Sequence, residues 1–186
     1  LDHELFRPSA SDHLTRVASI THEWDYSNFS VDLSNISSSG QNPYLSKSTA
    51  SVYDRATKQV KILCSSDEGP NISPSFVRLS PSGNRALVHL HGQDKVRLYN
   101  VNTGAFKTLP YDVFSWPNLA FSPDEKYMFV SSGERQKGEP AQDTSNTLGT
   151  VVRLNLDGSA AAGNPLADRG SPSDQIWSWG HRNILG

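Results

Sequence analysis

Short apolar stretches separated by Pro-, Gly- and Asn-containing turns run through this chain, and none shows the three-to-four spacing of an amphipathic helix. Ser80-Pro81-Ser82-Gly83-Asn84-Arg85 leads into the alternating run Ala86-Leu87-Val88-His89-Leu90-His91. Forty-two positions on, Ser122-Pro123-Asp124-Glu125-Lys126 leads into Tyr127-Met128-Phe129-Val130. A short strand precedes each turn, Phe76-Val77-Arg78-Leu79 and Leu119-Ala120-Phe121, so each unit predicts an antiparallel hairpin. Third strands follow over 95–101 and 149–156, ending in Asn102-Thr103-Gly104 and Asp157-Gly158-Ser159, sequences suited to the positive φ of tight turns. Residues 105–109 supply a fourth strand, and 51–63 show the same strand, turn, strand shape 46 residues ahead of their counterpart.

A period of roughly 40 to 50 residues with about four strands per copy predicts an all-β fold, a β-propeller of four-stranded antiparallel blades. The length predicts about four blades, 1–48, 49–75, 76–118 and 119–186. Such a ring closes on itself or pairs with another copy, and unpaired strand edges predict self-association into a homo-oligomer. The opening third is less regular. Strands are expected over 16–20 and 29–33, a long loop over 34–48, and a polar turn where His22, Glu23 and Asp25 surround Trp24.

Composition narrows the partners. Lys and Arg number 17 against 19 Asp and Glu, a net charge of -2, so no basic field exists for nucleic acid. Apolar runs reach only about four residues, far short of a membrane span of about twenty. Cys64 is the only cysteine, which excludes an intrachain disulfide and reads as buried filler. The start, Leu1-Asp2-His3-Glu4, lacks a signal-type apolar region and predicts a mature or excised segment.

Candidate chemistry gathers late in the chain. Residues 133–146 interrupt the last unit between its second and third strands, where a long polar loop places binding residues. The stretch Ile176-Trp177-Ser178-Trp179-Gly180-His181-Arg182-Asn183 sets aromatic rings beside a guanidinium, suited to a planar anion. His89 and His91, two apart on a predicted strand, share a face but have no third ligand placed beside them, and no metal site is assigned. No Gly-x-Ser-x-Gly elbow or phosphate-cradling glycine loop is present.

The ordered series 148–159, then Gly163-Asn164-Pro165, then 176–183 resembles the soluble aldose sugar dehydrogenases that depend on pyrroloquinoline quinone (PQQ), over about Leu119 to Gly186. The middle repeats look more like the blades of TolB-like and prolyl-oligopeptidase propellers. The first resemblance implies a six-bladed propeller that oxidises sugars at the C1 hydroxyl, with calcium holding PQQ. It implies that Arg182 compensates charge developing on the quinone oxygen and that Asn183 hydrogen-bonds the cofactor; it gives His181 no direct role, and that side chain reads as structural. It also implies a periplasmic or secreted location. Where that family carries its general-base histidine this sequence reads Phe114-Ser115-Trp116-Pro117-Asn118, and no catalytic residue is assigned.

Three functions follow. The first is a propeller fragment, or a recombined or engineered propeller, with a structural or ligand-binding role, an incomplete catalytic site, and no cofactor for the isolated chain. The second is a PQQ- and calcium-dependent sugar dehydrogenase. The third is a TolB-like protein-binding propeller.

Overall fold

The computed structural model describes residues 10–12, 15–24, 45–109, 118–134, 139–182 and 184. Among these residues twelve strands form three antiparallel sheets, each in simple up-and-down order. The first holds β1 (Ala10–Asp12), β2 (Arg16–Trp24), β3 (Leu45–Asp54) and β4 (Gln59–Ser65). The second holds β5 (Pro74–Leu79), β6 (Arg85–Leu90), β7 (Lys95–Asn100) and β8 (Phe106–Thr108). The third holds β9 (Asn118–Phe121), β10 (Tyr127–Ser132), β11 (Thr150–Asn155) and β12 (Ile176–Ser178). Over the described residues the architecture is a three-bladed arc of an all-β propeller that does not close into a ring.

Among the described residues the sheets number three, because the units expected at 1–48 and 49–75 share the first one. Its β3 runs ten residues across that boundary and pairs with both β2 and β4. The turn expected around Trp24 is also extended backbone, with His22 opposite Ser48 and Glu23 opposite Lys47 in the β2–β3 ladder. The strand expected at 29–33 lies outside the described residues.

Two seams hold the blades together. Ile20, Val52 and Leu63 of the first blade meet Val77, Ala86, Val88, Leu90 and Tyr99 of the second. Leu87 and Val96, from the second blade's other face, meet Leu119, Met128, Val130, Val152 and Leu154 of the third. The run Ala86–Leu90 is therefore buried throughout, since β6 has a blade on each side. By contrast β11 alternates strictly, as a strand with one covered face does.

The two Ser-Pro turns superimpose bond for bond. Ser80 N donates to Arg85 O at 2.9 Å and Ser122 N to Tyr127 O at 3.0 Å, while Arg85 N and Tyr127 N donate to the hydroxyls of Ser80 and Ser122. Gly83 (φ 71°) and Glu125 (φ 55°) take the same left-handed place. Glu125 then reaches across to accept from Ser82 N and from Arg85 Nη1. Burial alone would raise its carboxyl pKa, but donors from Ser82, Ser80 and Arg85 hold it below the ordinary value. Arg16, itself paired with Asp54 of its own blade, ties the first blade to the same end through Gly83 O, Asn84 and Asn102.

In the first seam, the buried Arg97 guanidinium lies 4.2 Å over the Phe106 ring and donates to Glu68 (2.8 Å), Tyr99 Oη (3.1 Å) and Cys64 Sγ (3.6 Å). Burial pushes the Cys64 thiol and the Tyr99 phenol up.

Candidate functional site

The Ser-Pro and Asx turns lie at one end of the arc, and in the second and third blades the connection between the second and third strands lies at the other. In the second blade that connection is the brief turn His91–Gln93 and Asp94. In the third it is residues 133–149, and this loop meets the chain leaving β12.

The loop is built from local polar turns. Asp143 accepts from Ser145 N (2.9 Å) and Oγ (2.7 Å), and these donors hold its carboxyl below the ordinary carboxylate range. Asn146 Oδ1 takes Leu148 N, and Ser173 Oγ donates to Thr144 O. The helical turn Glu139–Gln142 buries Ala141 at its centre.

Against this frame the segment 180–182 is fastened residue by residue. Gly180 N donates to Ala141 O at 2.8 Å, His181 N to Gly149 O at 2.9 Å, and Glu134 N to Arg182 O at 3.1 Å. The approach depends on Gly149, at φ 66°, where a Cβ would sit 2.5 Å from His181 O and 2.7 Å from Ala141 Cβ.

The side chains then divide by role. Arg182 Nε lies 3.4 Å from Glu134 Oε1; the carboxylate side chain is only 3% exposed and the arginine 78%. His181 Nε2 is 2.8 Å from Ser178 Oγ, so it braces the turn. Trp177, expected to stack on a ligand, instead lies under Arg153, whose Cζ is 4.0 Å from its ring and 4.9 Å from that of Tyr127. Arg153 is held there by Asn164 Oδ1 and Ala162 O, both at 2.8 Å. Trp179 remains 40% exposed beside the fastened segment. Asn183 lies outside the described residues.

His89 and His91 do not share a strand face. His89 is buried, with Nδ1 2.8 Å from Ser75 Oγ, while β6 ends at Leu90 and places exposed His91 in the following turn, the rings 6.4 Å apart and T-shaped. Among the described residues no three His, Cys, Asp or Glu side chains gather as a metal site, and no helix is long and apolar enough to cross a membrane. Glu134 and Gly149 are the site residues that sequence reasoning missed. The sequence placed Glu134 at a strand exit within the long polar loop, but Arg182, with which it pairs, lies 48 residues away.

Residues 106–186 match the glucose/sorbosone dehydrogenase family model. An uncharacterised protein of Synechocystis sp. is 40% identical over 80 residues, 37% of this chain and 19% of its own length. The aldose sugar dehydrogenase YliI of Escherichia coli is 35% identical over 60 residues, 32% of this chain and 16% of its own. The chain thus spans less than a fifth of the length of these curated relatives. A glucose dehydrogenase structure aligns over 73% of this chain and 46% of its own (TM-score 0.52, 21% identity). A Pyrococcus horikoshii acylaminoacyl peptidase aligns over 83% of this chain and 24% of its own (TM-score 0.54, 11% identity). Those two structures share the fold, which serves peptidases and dehydrogenases alike; the family-model match lies over residues 106–186.

Proposed function

We propose that the third blade forms the quinone-facing part of a PQQ-dependent sugar dehydrogenase, with Arg182 and Asn183 as the cofactor contacts. The observation that carries this reading is the guanidinium presented to solvent from a backbone fastened at three successive residues. That donor fits a planar, polyanionic group: a cation with bidentate geometry suits carboxylate and quinone oxygens, and exposed Trp179 offers an adjacent aromatic face. PQQ, when bound, supplies the two-electron acceptor for sugar oxidation. Arg182 neutralises negative charge on the bound group, while Glu134 N and the loop 139–149 hold the backbone of 180–182 still. Because the general-base segment reads Phe114-Ser115-Trp116-Pro117-Asn118, the chain is proposed to bind without completing the catalytic set.

Titrating PQQ into the chain with calcium present, followed by tryptophan fluorescence, tests this. Saturable quenching that Arg182→Ala weakens about tenfold, the worth of one charge-assisted hydrogen bond, is the expected result. Quenching indifferent to Arg182 would overturn it. Sugar-dependent dye reduction by the loaded chain would overturn the incomplete-site part.

The ends of the arc favour a second, compatible reading, that a second copy closes the ring. Val60 and Ile62 stand 65% and 60% exposed on the outer face of the first blade, and Trp177 stands 41% exposed on that of the third. The arc corresponds to 46% of one glucose dehydrogenase chain, so two copies approach one whole ring. Light scattering is expected to give twice the monomer mass, falling to one with Ile62→Asp; a monomer throughout rules this out.

A further inference from the structure

We infer that Glu134 is a positioning residue for Arg182, acting at the site proposed above and resting on that reading for the identity of the ligand. A carboxylate carried almost wholly into the interior needs a compensating cation, whereas an arginine that is 78% exposed gains little from the pair for its own sake. The asymmetry assigns the direction of the effect: the buried partner is the fixed point, and the exposed one is what it fixes.

The chain connects the two residues twice. Glu134 N donates to Arg182 O, and Arg182 Nε lies at Glu134 Oε1, so main chain and side chain are restrained together. Engaging Nε leaves the two terminal nitrogens on the exposed part of the group, where their paired N–H bonds match a carboxylate or a quinone oxygen. An exposed arginine otherwise samples many rotamers, and ordering them on binding weakens affinity. A guanidinium held in advance avoids that loss. Glu134 need never touch the ligand.

The variant Glu134→Gln keeps the side-chain length and an acceptor oxygen but removes the charge, and Glu134→Asp keeps the charge on a shorter stem. The Nε–Hε resonance of Arg182, identified by its absence in Arg182→Lys, reads the restraint with no ligand present. The expected result is a protected Arg182 Nε–Hε in the parent chain that turns to fast exchange in Glu134→Gln, with partial return in Glu134→Asp at an unchanged fold by circular dichroism. PQQ affinity, by fluorescence, should fall about tenfold in Glu134→Gln and no further when Arg182→Ala is added. An Arg182 signal indifferent to Glu134, or losses that simply add in the double variant, would overturn the inference. If the resonance responds as expected but the parent chain binds no PQQ, the quinone reading falls while the restraint of Arg182 by Glu134 stands.

Discussion

The second and third blades are the same object at one end and different objects at the other. Their Ser-Pro turns agree in hydrogen bonds and in the left-handed position, Gly83 in one and Glu125 in the other. At the opposite end, four residues join β6 to β7, whereas seventeen join β10 to β11 and bury Ala141 and Glu134. The shared end carries the ties between blades, through Arg16 and Glu125, so its geometry is set by neighbours and leaves little room for variation. Neither Arg16 nor Glu125 reaches the other end, where the second blade's Arg97 bonds Glu68 of the first, and there the third blade has taken on a long loop.

The largest expected effect tests the part the two blades share. Leu87 and Leu154 are fully buried in one seam from opposite sides. Leu87→Ala and Leu154→Ala are each expected to lower unfolding free energy by about 3 kcal/mol in urea, the usual cost of such a cavity. A loss confined to one of them would mean that the seam is not a single cooperative unit. Next comes Gly149→Ala, which strikes only the end where the blades differ. A positive-φ strain and a collision with His181 O should cost about 2 kcal/mol. Hydrogen exchange should show the Gly180 and His181 amides losing protection while the Ser-Pro turns keep theirs.

The smallest effect separates the two turns by charge. At the same turn position the second blade has Ser82 and the third Asp124, which accepts from Ser122 Oγ (2.7 Å) and Lys126 N (3.2 Å). The Ser122 hydroxyl foremost, then the Lys126 amide, holds the Asp124 carboxyl below its ordinary value. With the folded pKa below the unfolded one, the turn's contribution is complete above the unfolded value and is lost as pH falls through the folded one, below about 4. Asp124→Ser is expected to flatten this acid limb slightly and to leave stability at pH 7 nearly unchanged. An acid limb identical to the parent's would place the titration elsewhere.

Much of this layout was legible in the sequence because turns and strand periods are local. The pairs Ser80/Ser122 and Asp54/Asn100 reproduce their bonds wherever they occur, so the hairpins could be read one at a time. What could not be read depends on neighbours far along the chain. The joining of 16–24 to 45–65 in one sheet rests on a ladder that bridges residues 25–44. The strand Ile176–Ser178 shows no period of its own and exists because β11 offers it an edge. Trp177 and Arg182 were singled out as one cluster, yet β12 ends at Ser178, the chain turns through Gly180 (φ 86°) before it reaches Arg182, and Arg153 claims the tryptophan. Glu134 stood inside a loop recognised as a place for binding residues, but only the folded chain reveals that it is the buried member.

Cys64 turns the first seam into something that can be timed. Its sulfur is shut away under Arg97 and its thiolate is disfavoured, so a thiol reagent in solution must wait for the first two blades to part. The rate at which such a reagent labels this single cysteine would clock the opening of the arc between its first and second blades, with the third as an unlabelled bystander.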